Sequence, residues 1–128
     1  ILPSTAAFIM KNKNYKGNLR HDLLEPEKNI LIGEKYINHL LKENLISGDL
    51  IKLLAAYNGG PGNLNKWLKK TNFNDDPLLL IETIPSRETR NYIKEVLKNL
   101  YIYNNKYKNN NKEFKKLSSG YWKIQKRE

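Results

Sequence analysis

At 128 residues with 39% hydrophobic side chains, the chain has enough apolar material for one modest core and too little for two ordinary domains. It has no cysteine, which excludes a disulfide framework and any cysteine-based zinc site. The net charge of +10, from 23 Lys and Arg against 13 Asp and Glu, favours anionic partners, yet the lysines are scattered and Arg is rare. That pattern fits compositional bias better than a nucleic-acid patch, and nucleic acid is not expected as a partner. No apolar run approaches the roughly 20 residues needed to span a bilayer. The chain opens on Ile1-Leu2-Pro3, which reads like the middle of a motif, so an N-terminus carrying any export signal is expected to have been lost.

Pro3 suits the first turn of a short helix running toward Met10, because its missing N–H is unneeded there. Asn12 to Asn18 reads as a loop. From Pro26 the pattern is helical, with Ile30, Gly33, Ile37, Leu40 and Leu41 on one face and Lys28, Glu34, Lys35, Asn38 and Lys42 on another. Ser47-Gly48-Asp49 supplies a turn and an N-cap for a helix whose stripe is Leu50, Leu53, Leu54 and Tyr57. Asn58-Gly59-Gly60-Pro61 must end it, since glycine accepts the backbone that closes a helix and proline cannot continue the ladder.

A short helix with Leu64, Trp67 and Leu68 on its apolar side follows, and Thr71 to Asp76 is a polar connector. Asp76-Pro77 opens a segment from Leu78 to Ile84, which Pro85 ends. The last helix begins near Ser86 and carries Ile93, Val96, Leu97 and Leu100, extended by Tyr101. From Asn104 onward Asn and Lys dominate, so the expectation is a frayed or disordered basic extension unless Tyr121 and Trp122 dock back. No segment alternates long enough for a strand, and the fold class is all-α.

The Tyr57 to Asn63 turn is the place where chemistry could live. Three glycines and a proline around an aromatic ring and two amides are more than a helix end needs. Such a turn lets backbone approach a ligand, while the Tyr ring and Asn amide can hold a sugar ring and its N-acetyl group. The competing reading is a tight helix-to-helix connection with a buried tyrosine.

Four blocks in order resemble the soluble lytic transglycosylases, whose catalytic domain is of the goose-lysozyme type. Leu54-Ala55-Ala56-Tyr57-Asn58-Gly59-Gly60-Pro61-Gly62 is similar to the family's Ala-Ala-Tyr-Asn-Ala-Gly-Pro-Gly motif. Ile1-Leu2-Pro3-Ser4-Thr5-Ala6 resembles the end of its Gly-Leu-Met-Gln-Ile-Leu-Pro-x-Thr-Ala motif, and Leu24 to Ile30 with Gly33 and Tyr36 fits its Asp-Pro-x-x-Asn-Ile helix start. Ile81 to Ile93, containing Ile84-Pro85 and Glu88-Thr89-Arg90, resembles Glu-Ser-Ile-Pro-x-x-Glu-Thr-Arg-x-Tyr-Val. Two departures stand out. Gly59 replaces the usual alanine, which should loosen the turn slightly without changing its role, and Ser86 replaces a usual phenylalanine, removing apolar area from a core contact or a cleft wall.

The resemblance implies a lysozyme-like helical domain over residues 1–107, lacking its N-terminal helix or helices, then a basic Asn/Lys-rich tail over 108–128. It implies cleavage of the β-1,4 bond between N-acetylmuramic acid and N-acetylglucosamine in peptidoglycan without water, the muramyl C6 hydroxyl closing a 1,6-anhydro ring. One glutamate serves as acid and then base, and needs a raised pKa. In the family it sits in a Glu-Ser motif upstream of the block that Ile1 enters, so no catalytic residue is expected in this chain. By the same resemblance Tyr57 and Tyr92 are supports near that glutamate, Asn58 contacts an N-acetyl group or caps the helix, and Gly60 lets backbone meet the glycan.

Glu82 is either a cleft residue or a surface carboxylate. Glu88, between Arg87 and Arg90, is expected in a structural ion pair. Trp67 is expected in the core, Tyr92 has a core reading beside its supporting one, and His21 and His39 are read as incidental. No metal or cofactor is expected, the partner is peptidoglycan glycan strands, the state is a monomer, and the location is the periplasm or cell envelope of a bacterium. The alternative is a peptidoglycan-binding module that holds strands without cutting them.

Overall fold

A computed structural model describes residues 1–108, which form two compact units, Ile1–Glu43 and the part beginning at Asn44. Every regular element among the described residues is helical, in keeping with the all-α expectation. The expectations for Asn109 to Glu128, including docking of Tyr121 and Trp122, lie outside the described residues.

The first unit contains α1 (Pro3–Ile9), two 3₁₀ segments (Lys13–Lys16 and Asn18–Leu24) and α2 (Pro26–Leu41). Proline opens both α-helices, and in neither does a side chain cap the N-terminus. The segment expected as a loop is instead wound: Asn12 Oδ1 accepts from Asn14 N at 3.0 Å and starts the first 3₁₀ turn. Ala6, Ala7, Tyr15, Leu23 and Ile32 pack as its core, with Ile1, Met10 and Leu19 against them. Asn29 Nδ2 donates to Leu23 O at 3.0 Å, tying the start of α2 to the segment before it.

The buried face of α2 is Ile32, Gly33, Tyr36 and Leu40, not the expected stripe. Ile30 is 69% exposed and Ile37 38%. Apolar residues cover so wide an arc of this helix that periodicity leaves its rotation undecided, and the small residues Ala6 and Ala7 of α1 pack with Ile32.

The second unit is organised on α3 (Leu50–Gly59), followed by α4 (Pro61–Lys70), α5 (Pro77–Thr83) and α6 (Arg87–Tyr103). Both α4 and α6 pack on α3, and α5 packs on α6. The expected stripe of α3 is therefore widened: Ile51, Leu53, Leu54, Ala55 and Ala56 are all buried, while Leu50 and Tyr57 are half-buried. Two alanines in a row let helices come close on more than one side. Ile46, Leu64, Leu80, Ile81, Ile84, Ile93 and Leu97 supply further buried aliphatic side chains.

Side-chain caps fix the starts of α3, α5 and α6. Asp49 Oδ1 accepts from Lys52 N at 3.1 Å, Asp76 Oδ1 from Leu78 N and Leu79 N at 2.9 and 3.3 Å, and Ser86 Oγ from Thr89 N at 3.2 Å. Asp76→Ala should lower the free energy of unfolding by about 1 kcal/mol, read as a shift in the urea midpoint with an unchanged slope. Ser86 thus serves as the cap of α6. Beyond Tyr103 the chain does not fray at once: Asn104–Lys108 continues as a π turn with Asn104 buried, which corrects the expected start of the extension.

Candidate functional site

Helix α3 ends on Gly60, whose N–H still donates to Ala56 O at 2.8 Å while its backbone swings to φ 90°, ψ 146°. That region is open to glycine and closed in practice to other residues. Pro61 then starts α4 at once, and Asn63 Nδ2 reaches back to Gly59 O at 2.8 Å, occupying a carbonyl that the helix end leaves free. The result is a sharp corner with Tyr57 and Asn58 on its α3 side.

Helix α6 meets this corner. The Tyr57 and Tyr92 rings stack with centroids 6.4 Å apart and planes 14° from parallel. Thr89, only 2% exposed, donates its hydroxyl to Asn58 Oδ1 at 2.8 Å. Gly59 lies under the Trp67 ring: a Cβ there would stand 2.5 Å from Trp67 Cη2 and 3.2 Å from Thr89 Oγ1. This glycine therefore makes room for a tryptophan. Tyr57, Asn58, Gly60 and Tyr92 are brought to one place by the α3–α4 corner and the first turns of α6.

Burial, and then the neighbouring Tyr57, push the Tyr92 hydroxyl above its ordinary pKa of 10.0. Ionisation is thus resisted in the folded state, and Tyr92 stays a neutral donor and acceptor across the physiological range. Because the folded value is the higher one, the stability linked to this group is complete below the unfolded value and is lost as pH rises through the folded one. The tyrosinate absorbance of wild type minus that of Tyr92→Phe should accordingly rise with a midpoint above 10.0.

Glu82 is placed elsewhere. It is exposed at the end of α5 and pairs with Lys94 Nζ at 2.8 Å. Lys94 is two residues from Tyr92, so the two side chains leave α6 on roughly opposite sides. Together with Leu78, Ile81 and Leu97, the Glu82–Lys94 pair lines a surface groove of about 390 Å³. The Lys94 ammonium holds the Glu82 carboxyl below the usual carboxylate range. Stability from this pair is present above the unfolded pKa and is lost as pH falls through the lowered folded value. Glu82→Gln should cost a small drop in Tm at neutral pH that disappears in acid, when Tm is followed against pH.

Glu88 does not form the expected ion pair among the described residues. The Arg90 guanidinium is spent on backbone, donating from Nη1 to Ile84 O and to Pro85 O, and Glu88 faces solvent in the first turn of α6, where its charge suits the helix dipole. Trp67 is half-buried against Gly59. His39 touches the Phe8 ring edge-on at 5.3 Å and lies 3.6 Å from Glu43. Among the described residues no three His, Asp or Glu side chains cluster to hold a metal ion, and no helix is long and apolar enough to cross a membrane.

Sequence reasoning missed Thr89. It stands four residues before Ile93 and eight before Leu97, so it lies on the buried stripe of α6, and a hydroxyl there has to find a partner. Reading that stripe from its aliphatic members alone hid it.

Comparison with known proteins bears on the same corner. The transglycosylase SLT domain matches residues 1–79. The soluble lytic murein transglycosylase of Salmonella typhimurium is 38% identical over 100 residues, covering 76% of this chain and 15% of that protein. The protein of the same description from Escherichia coli K12 is 37% identical over 98 residues, again 76% of this chain and 15% of the relative. The chain thus spans only a small part of the length of these relatives. No solved structure matches it. With more than half of its residues matched, and the Tyr57–Gly60 corner inside the match, the chain belongs to the transglycosylase SLT domain family.

Proposed function

We propose that the chain is part of a bacterial lytic transglycosylase that cleaves the bond between N-acetylmuramic acid and N-acetylglucosamine in peptidoglycan and leaves a 1,6-anhydro end. The observation that carries this reading is the stacked Tyr57–Tyr92 pair beside the Gly60 corner, in a chain whose relatives are named murein transglycosylases. Tyr57, Asn58, Gly60 and Tyr92 form one wall of the glycan site, and Glu82, on the far side of α6 from Tyr92, stands outside it.

The reaction needs one carboxyl group that gives a proton to the leaving glycosidic oxygen and then takes the proton of the muramyl C6 hydroxyl as that oxygen attacks the anomeric carbon. By resemblance this glutamate belongs to a Glu-Ser motif upstream of Ile1. A neutral Tyr92 hydroxyl can donate to its carboxylate and fix its rotamer, and the half-buried rings keep water away from the oxocarbenium-like centre. Excluding water is what favours the intramolecular C6 hydroxyl over hydrolysis. The expected setting is the periplasm or cell envelope, and the working state is a monomer.

The test is digestion of purified peptidoglycan by the protein with its upstream segment in place, with products separated and weighed. Anhydro-muropeptides are expected. Products with ordinary reducing ends would instead make the protein a hydrolase. Retention on peptidoglycan without any product would make it a binding module.

A further inference from the structure

The hydroxyl of Thr89 is buried and has taken the carbonyl oxygen of the Asn58 amide as its acceptor. An amide is planar, so holding Oδ1 from the inside turns Nδ2 and its two N–H groups the other way. No described residue accepts from them. A carboxamide flips between two nearly isosteric states, one presenting donors and one presenting an acceptor. Only a donor fixed behind it selects the first. Thr89 is fixed in turn, because its own backbone N–H is capped by Ser86 and its side chain is closed in on α6.

What would use two amide N–H groups at this point is set by the neighbours. Asn58 is half-buried and follows Tyr57, whose ring stacks on Tyr92. A carbonyl acceptor joined to a methyl group, as in the acetamido substituent of an amino sugar, matches both: oxygen to the amide, methyl and pyranose to the rings. We propose that Thr89 is a positioning residue, locking the Asn58 amide in the flip state that donates to the acetamido carbonyl of a bound amino sugar. The proposal deepens the transglycosylase reading and takes its ligand class from it.

The experiment measures binding of an N-acetylglucosamine tetramer and of its fully de-N-acetylated counterpart to the full chain. Wild type should prefer the acetylated sugar. Thr89→Val should weaken binding of that sugar by about tenfold and leave the other unchanged, and Thr89→Ser should restore it. In an Asn58→Ala background, Thr89→Val should bring no further loss. The side-chain amide signals of Asn58 in a nitrogen-15 spectrum should move in Thr89→Val and return in Thr89→Ser.

Equal affinity of wild type for the two sugars, or no binding of either, would overturn the proposal. So would a Thr89→Val protein with a lowered Tm and intact acetyl preference. Should that variant fail to fold, Asn58→Asp decides: its carboxylate still accepts from Thr89 but has no N–H to give, so the preference must vanish, and a preserved preference overturns the proposal. Digestion of peptidoglycan by the protein with its upstream segment in place separates the two readings. Anhydro products together with an undiminished acetyl preference in Thr89→Val would refute the role of Thr89 alone. A preference that Thr89 controls, with no anhydro product from that protein, would refute the transglycosylase reading alone.

Discussion

Gly60→Ala should destabilise the protein by about 1–3 kcal/mol, the cost of forcing an L-residue into backbone that only glycine adopts freely. Space is not the problem, because a Cβ at Gly60 would meet nothing within 4 Å. The strain is purely conformational, at φ 90°, ψ 146°. If the chain escapes it by shifting φ, the direction of Pro61 changes, and α4 leaves its seat on α3. Binding of an N-acetylglucosamine tetramer should then fall by more than the loss of folded protein explains. Gly62 provides the control from the same turn. It lies inside α4 with ordinary backbone and open space around its Cα, so Gly62→Ala should stabilise by about 0.4–1 kcal/mol. Chemical denaturation of the two variants should therefore move in opposite directions. A Gly60→Ala protein as stable as wild type would mean that the corner is not strained as described.

The second large effect is expected one residue earlier, from the reverse cause. Gly59 is helical, and alanine would normally improve a helix, but its Cβ would meet Trp67 Cη2 at 2.5 Å and Cζ3 at 3.0 Å. A ring this large, half-buried between α3 and α4, yields only by changing rotamer or tilting α4. Gly59→Ala should cost about 1–3 kcal/mol. The double variant with Trp67→Leu should be less destabilised than the two single changes summed, because the smaller side chain vacates the space. Full additivity would show that the ring does not press on Gly59.

The helices themselves were legible, and for reasons that can be stated. Pro3, Pro26, Pro61 and Pro77 each stand in the first turn of a helix, and Asp49, Asp76 and Ser86 each cap one, so composition alone marked the starts. Long-range geometry was not legible. The rotation of α2 depended on which side met Ala6 and Ala7, and its apolar arc is too wide for periodicity to choose. The partner of Arg90 was misjudged for a related reason. Sequence shows charges close along the chain, whereas the folded guanidinium found two carbonyls at the end of α5 that no sequence pattern advertises. Within the site, Tyr57 and Tyr92 were named from resemblance, but their stacking and the Thr89–Asn58 bond needed α3 and α6 side by side.

That dependence on α6 bears on where the family module is cut. The match to the transglycosylase SLT domain stops at residue 79, yet Thr89 and Tyr92 both follow it. Trimming the gene at the matched border would keep every residue of the Tyr57 to Asn63 signature while stripping Asn58 of its hydrogen-bond donor and Tyr57 of its stacked ring. A chimera or minimal domain built on this family should therefore carry its downstream border past Tyr103, treating the signature and the last long helix as one inheritable unit.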